Sequence, residues 1–339
     1  MSPQKKLRVA VVGVGAFGRN HARVYHELAQ QADANVELAG VVDADFARAR
    51  ELAQQFGTKA FGSVADLKGA VDAATVAVPT VAHLEVATQL MRDGIDVLIE
   101  KPIAPSLPEA DELIKLARQH QRIAQAGHLE RFNPAVRATA RLITKPMFFE
   151  VHRLSVFTPR ALDVDVVLDL MIHDLDIVLS FVDSPVKEVR AVGLPILSDK
   201  VDIANVRMEF DSGCVANFTA SRVSTERIRK LRFFQPHQYV SLDYTRQDVV
   251  VFTVADGTPS PSAPGLAELD AAHPSGPEIR PFKPEIAHEE PLHAELRAFL
   301  HAVRTRTEPV VSLGDGRRAL ALALDILGAI RDHSRRVGL

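Results

Sequence analysis

The chain has 339 residues, a formal net charge of −3, 47% hydrophobic and 24% charged residues. That length suggests two domains, and the composition is that of an ordinary globular protein with room for two cores. No Lys/Arg run dominates any region, which argues against nucleic acid or an anionic membrane surface as partner. No secretory leader is expected, because Arg8, Gly13 and Gly15 interrupt the first apolar run, and no stretch is long enough for a membrane span. The lone cysteine, Cys214, sits in a strand-like alternation and reads as a buried core residue in a cytoplasmic protein.

Along the first third, apolar runs at 9–12, 36–42, 73–78, 97–99 and 123–126 alternate with helical patterns at 17–31, 45–56, 82–92 and 107–120. The alternation predicts a doubly wound parallel sheet with helices on both faces. After residue 126 the pattern changes. Helices are expected over 133–143 and 163–181, with strands over 148–156, 186–192, 204–210, 215–221, 230–234, 239–243 and 249–254. Their short connections predict an α+β domain with a mostly antiparallel sheet. Eight prolines between Pro259 and Pro291 exclude a regular helix or central strand through most of 256–291. Helices over 292–305 and 316–335 close the chain. The expected domains are therefore 1–126 and 127–339, with both last helices in the second.

The first strand runs into Gly13-Val14-Gly15-Ala16-Phe17-Gly18 and then a helix. In that setting Gly13 permits a tight turn, Gly15 lets a pyrophosphate approach the backbone, and Gly18 lets helix and strand pack closely. The helix N-terminus at Ala16 and Phe17 offers free N–H groups to phosphate. Asp43 ends the second strand, where a carboxylate accepts from the adenosine ribose and repels a 2′-phosphate. Together these predict NAD rather than NADP.

Ligands of such sheets sit beyond the strands' carboxyl ends. Pro79 and Thr80 follow the 73–78 strand there, with His83 a turn later as either a cofactor contact or an ordinary helix-start residue. Glu100-Lys101-Pro102 follows the next strand. Lys101 is suited to hold a substrate hydroxyl and stabilise the charge that develops on its oxygen, or it snorkels to water. On the 163–181 helix, Asp165, Asp169, His173 and Asp176 form one stripe. Carboxylates around His173 suit a general base, and a metal pair or a domain-interface edge stays open as the alternative. No third ligand shows metal-site spacing, so no metal is expected.

The glycine motif, Pro79-Thr80, Glu100-Lys101-Pro102 and Asp169-x3-His173 together resemble the Gfo/Idh/MocA family of sugar and cyclitol oxidoreductases over nearly the whole chain. The resemblance implies that Lys101 touches the reacting hydroxyl, that His173 is the acid/base and that Asp169 binds substrate. It also implies contacts from Glu100 and Lys101 to the cofactor, and a large open C-terminal sheet with one face against another subunit, as a homodimer or homotetramer. Val166-Val167-Leu168 stands where many members carry two glycines. Gly127-His128-Leu129-Glu130-Arg131-Phe132-Asn133-Pro134 and 166–174 look like a branch that oxidises the 3-hydroxyl of UDP-N-acetylglucosamine, toward diamino sugars of lipid A or other surface polysaccharides. On that reading Arg131, Asn133, Arg160 and also Arg153 are candidates for the nucleotide-sugar substrate, the arginines toward its diphosphate. The rival substrates are a free sugar, a cyclitol or a biliverdin-like molecule. The rival class is a catalytically silent NAD-binding regulator, against which the presence of both Lys101 and His173 argues.

Overall fold

The computed structural model describes residues 6–31, 35–158, 164–254 and 279–338, which group into two compact units. The first comprises 1–132 with 290–320, and the second 133–289 with 321–339.

In the first unit the strands are β1 (Leu7–Val12), β2 (Val36–Val42), β3 (Lys59–Ala60), β4 (Ala73–Val76), β5 (Asp96–Glu100) and β6 (Ala124–Gly127). They form one parallel sheet in the order β3-β2-β1-β4-β5-β6. This is the doubly wound dinucleotide-binding topology, with its crossover between β1 and β4. β1, β4 and β5 are almost wholly buried, which is why they read as unbroken apolar runs. The helices α1 (Ala16–Ala29), α2 (Phe46–Phe56), α3 (His83–Arg92) and α4 (Leu107–Gln119) connect them. α2 is stopped at both ends by local chemistry: Asp45 accepts from the Ala47 and Arg48 amides, and Gly57 closes it at φ +63°.

The division at 126/127 does not describe this packing. A helix near the end of the chain, Pro291–Thr305, belongs to the first unit. Its residues Leu292, Leu296, Phe299, Leu300 and Val303 share one buried core with Val9, Val11, Val24, Tyr25 and Leu28. An apolar stripe says that a helix is buried, but not against which sheet.

The second unit holds the short helix α5 (Pro134–Ala140) and α6 (Ile172–Phe181), which make the return helix at 291–305 α7. The strands are β7 (Phe148–Val156), β8 (Val186–Leu194), β9 (Ile203–Phe210), β10 (Val215–Ser224), β11 (Ile228–Gln235), β12 (Gln238–Asp243), β13 (Asp248–Val254) and β14 (Ile279–Phe282). The sheet order is β14-β13-β12-β11-β7-β10-β9-β8, antiparallel throughout except where β7 lies parallel to β10. Phe149, Val151, Phe218 and Phe233 fill its buried face. Its other face carries an aromatic row, with Phe148–Phe234, Phe234–Tyr239 and Tyr239–Phe252 ring centroids 5.7, 5.0 and 5.8 Å apart. Cys214, just before β10, is buried, and burial pushes its thiol up to about 11. β14 is a difference from the sequence expectation: within the proline-rich stretch, Ile279–Phe282 pairs with β13 at the sheet edge, where Pro281 is tolerated. The rest of that stretch, 255–278, lies outside the described residues. The final helix, α8 (Leu313–Val337), starts in the first unit and ends in the second. Among the described residues no helix is long and apolar enough to cross a membrane.

Candidate active site

The turn after β1 has the shape of a phosphate cradle. Gly13 stands at φ +87°, and a Cβ there would fall 2.6 Å from the Ala77 carbonyl oxygen. A Cβ on Gly18 would meet the Gly13 oxygen at 1.7 Å, so helix and turn could not close. Gly15 faces open space, with nothing within 4 Å of its Cβ position. No side chain caps α1, which leaves the N–H groups of its first turn, at Ala16 and Phe17, available to an anion. Phe17 is exposed beside them. These features fit a bound dinucleotide pyrophosphate.

Asp43 directly follows β2 and is fixed by two backbone donors: the Val14 amide donates to Oδ2 at 2.7 Å and the Asp45 amide to Oδ1 at 2.9 Å. Its carboxylate is largely buried, and Arg48 stands 3.5 Å away. A fixed anion here accepts from ribose hydroxyls and opposes a 2′-phosphate.

β4 stops at Val76, two residues before the expected end, and beyond it Pro79 is exposed and Thr80 partly so. His83 does not join them. It is buried, with Nδ1 3.1 and 3.3 Å from the Pro102 and Ile103 carbonyl oxygens and Nε2 3.0 Å from that of Val78. Burial pulls its pKa down against these bonds. Its ring therefore ties the loop after β4 to the loop after Lys101.

Glu100 ends β5 and is packed on two sides. Its Oε1 lies 2.7 Å from Nε2 of His21, which projects from the buried face of α1. On the other side is Gly127 of β6, where an added Cβ would come 3.0 Å from the Glu100 Cα and 3.2 Å from its Cδ. Burial raises the Glu100 carboxyl, but the hydrogen bond and attraction of His21, with the attraction of Lys101, outweigh it and hold the group below the usual carboxylate range. The half-exposed Lys101 donates its backbone N–H to Glu100 Oε2 at 3.3 Å, and the Lys101–Pro102 peptide is cis.

In the second unit the expected long helix begins with a π-helical turn, Val167–Met171, and continues as α6. The turn covers the stretch where Val167 and Leu168 stand in place of glycines, and such turns concentrate at functional sites. Asp169 lies in it, half-exposed like His173 four residues on. The other carboxylates of the stripe do different work. Asp165 Oδ1 accepts from the Val201 amide at 2.9 Å, and Asp176 is buried. The neighbouring Asp174 forms a buried bidentate pair with Arg153, at 2.7 and 2.9 Å, and the Arg153 guanidinium lies 5.0 Å over the Tyr244 ring. Arg153 is thus a buried residue paired with the neighbour of His173 in the chain. Asn133 is likewise buried: its Oδ1 caps α5 through the Ala135 amide, and its Nδ2 donates to the Tyr244 carbonyl at 3.0 Å. Asn133 thus has a folding role. Arg131 is partly exposed and 3.8 Å from Asp315. Arg160 lies outside the described residues.

His21 and Glu295 went unforeseen. His21 falls three residues after Gly18, on the same face of α1, and Glu295 interrupts the apolar stripe of α7.

The sheet order, cradle and placed acid define a dinucleotide-binding protein. Residues 7–128 match the model of the oxidoreductase family with an NAD-binding Rossmann fold, and 145–235 match the GFO/IDH/MocA C-terminal domain. UDP-N-acetylglucosamine 3-dehydrogenase from Acidithiobacillus ferrooxidans is 36% identical over 332 residues, 97% of this chain and 99% of the relative. A solved structure of that enzyme aligns with TM-score 0.85 at 35% identity, covering 96% of this chain and 98% of the other. scyllo-Inositol 2-dehydrogenase (NAD(+)) from Bacillus subtilis is 27% identical over 65% of this chain and 69% of its own. The chain belongs to the Gfo/Idh/MocA family of NAD-binding oxidoreductases.

Proposed function

We propose that this enzyme oxidises the 3-hydroxyl of a UDP-N-acetylglucosamine-type nucleotide sugar to the 3-keto sugar. The observation that carries the reading is the end-to-end match to the Acidithiobacillus ferrooxidans relative, against the partial match to the inositol dehydrogenase.

NAD+, when bound, supplies the hydride acceptor. The residues that would hold it are Gly13, Gly15, Ala16, Phe17 and Gly18 at the pyrophosphate, Asp43 at the ribose, and Pro79, Thr80, Glu100 and Lys101 at the strand ends. Lys101 donates to the reacting hydroxyl and steadies the negative charge growing on its oxygen. His173 takes the hydroxyl proton as the C–H bond gives up its hydride, and Asp169 orients His173 and the sugar. Arg131, and Arg160 beyond the described residues, are the arginines we assign to the diphosphate. We place the reaction in the cytoplasm, at the head of diamino-sugar synthesis for lipid A or another surface polysaccharide. We further read the aromatic row on the C-terminal sheet as the face that a second copy covers in a homodimer or homotetramer.

Absorbance of NADH, followed with UDP-sugars and inositols in parallel, tests the substrate. Turnover with the UDP-N-acetylhexosamine and none with inositols is expected, and the reverse pattern overturns the reading. In Lys101→Ala and His173→Ala, turnover falls by about 10²-fold or more; NAD affinity, read by fluorescence titration, holds in His173→Ala and weakens by at most a few-fold in Lys101→Ala, where the pyrophosphate and ribose contacts remain. Wild-type turnover in both variants removes the assigned roles.

A further inference from the structure

Helix α7 carries an acid where its apolar stripe calls for a hydrophobe. Glu295 lies among Leu292, Leu296 and Phe299, and is itself fully buried. Neither of its carboxylate oxygens has a hydrogen-bond partner among the described residues, nor does Nδ1 of His21. One ligand-type atom from each of His21, Glu100 and Glu295 lies within 4.8 Å of the other two. An unpartnered carboxylate in such a place is costly, and a second ionised carboxylate beside Glu100 more so. Burial, with the negative charge of Glu100 added to it, pushes the Glu295 carboxyl well above the ordinary range, while Glu100 is held below it. Of the two acids, Glu295 keeps the proton.

We propose that Glu295 is a positioning residue for Lys101: it remains protonated in the working enzyme and offers that proton to the Glu100–His21 pair. The Glu100 carboxylate then stays turned toward the Lys101 backbone amide, which it accepts at 3.3 Å. The proposal rests on the reading of Lys101 as the group that holds the reacting hydroxyl. A span of up to 4.8 Å closes with a small side-chain rotation or one bridging water, for which this cluster supplies enough polar partners. The titratable groups that face Glu295 are His21 and Tyr25 from α1 and Glu100 from β5. The Tyr25 hydroxyl is engaged with Thr75 Oγ1 at 3.0 Å. The turn Leu129–Phe132, packed on α7, carries Glu130 and Arg131, both partly exposed.

Two carboxylates and an imidazole are also a donor set for a divalent cation. The direct 2.7 Å contact of His21 Nε2 with Glu100 Oε1 speaks against it. Two tetrahedral ligands of one zinc ion stand roughly 3.3 Å apart.

Glu295→Gln and Glu295→Leu, assayed beside Lys101→Ala from about pH 5 to 9, test the proposal. The Gln variant keeps kcat at pH 7 within about twofold and loses less of it at high pH than the wild type. The Leu variant loses about tenfold in kcat, with NAD affinity unchanged. Stability gives an independent reading. Below the ordinary carboxyl pKa the wild type has the full contribution of the protonated group, and it loses that contribution as pH rises through the elevated value. The Tm of Glu295→Gln therefore exceeds that of the wild type by a gap that widens with pH. Should the Leu variant fail to fold, the Gln profile and the Tm gap decide the matter. Wild-type pH profiles in the Gln variant with no Tm gap overturn the proposal, as does a stoichiometric metal by mass spectrometry whose removal with EDTA lowers Tm. Wild-type turnover in Lys101→Ala overturns the reading beneath it and this proposal with it, whereas a dead Lys101→Ala beside unaltered Glu295 variants overturns this proposal alone.

Discussion

Glu100 has little freedom to move: His21 holds its carboxylate on one side, and the missing side chain of Gly127 makes room for it on the other. Gly127→Ala would place a methyl 3.0 Å from the Glu100 Cα, across two neighbouring strands. The strand must shift by a few tenths of an ångström and Lys101 shifts with it. Turnover should fall about tenfold at little cost in NAD affinity, since the phosphate cradle lies on other strands. Steady-state kinetics with a fluorescence titration of NAD checks both halves. The cradle itself was legible in the sequence because each of its glycines answers a local backbone demand. The partners of Asn133, Arg153 and His83 were not legible: each is polar, each stands near a suggestive motif, and each bonds a carbonyl or a carboxylate that the linear sequence does not place beside it. Nothing in the spacing of polar residues reveals that kind of burial.

At the scale of elements, the parallel strands were readable from their unbroken apolar runs, and the antiparallel ones from their alternation. The π-helical turn at Val167–Met171 was not, because apolar periodicity alone does not distinguish a five-residue turn inserted into a helix. β14 was hidden by the very proline that its edge position tolerates. α7 was found as a helix but given to the wrong unit. Its packing yields a test: Phe299 is fully buried in the core shared with β1 and α1, so Phe299→Ala should cost about 3–5 kcal/mol. Chemical denaturation should show that loss, with residual native protein still binding NAD. A loss under 1 kcal/mol would mean that α7 is not part of that core.

At the scale of the molecule, the chain leaves the dinucleotide unit at residue 132 and re-enters it at 290. The fragment 1–132 therefore carries every strand of the parallel sheet and all of the glycine cradle, yet lacks Leu296, Phe299 and Leu300 against α1. Expressed alone, it should show a broad, weakly cooperative melt. The same fragment with 290–320 supplied by a short linker should melt cooperatively and bind NAD. Equal melts of the two would mean that the returning helix is dispensable. This discontinuity could not be read from the order of elements, since the sequence places α7 beside the second unit's last strands.

The ribosome makes the strands of the dinucleotide-binding unit well before the helix that seals it, which emerges only after residue 290. Early in synthesis, the flank of α1 with Tyr25 and Leu28 must wait, greasy and uncovered, while more than a hundred and fifty intervening residues are added. Premature termination anywhere in that interval leaves an apolar patch with no cover. Nascent-chain holdases would therefore be needed most by this enzyme during the translation of its second half.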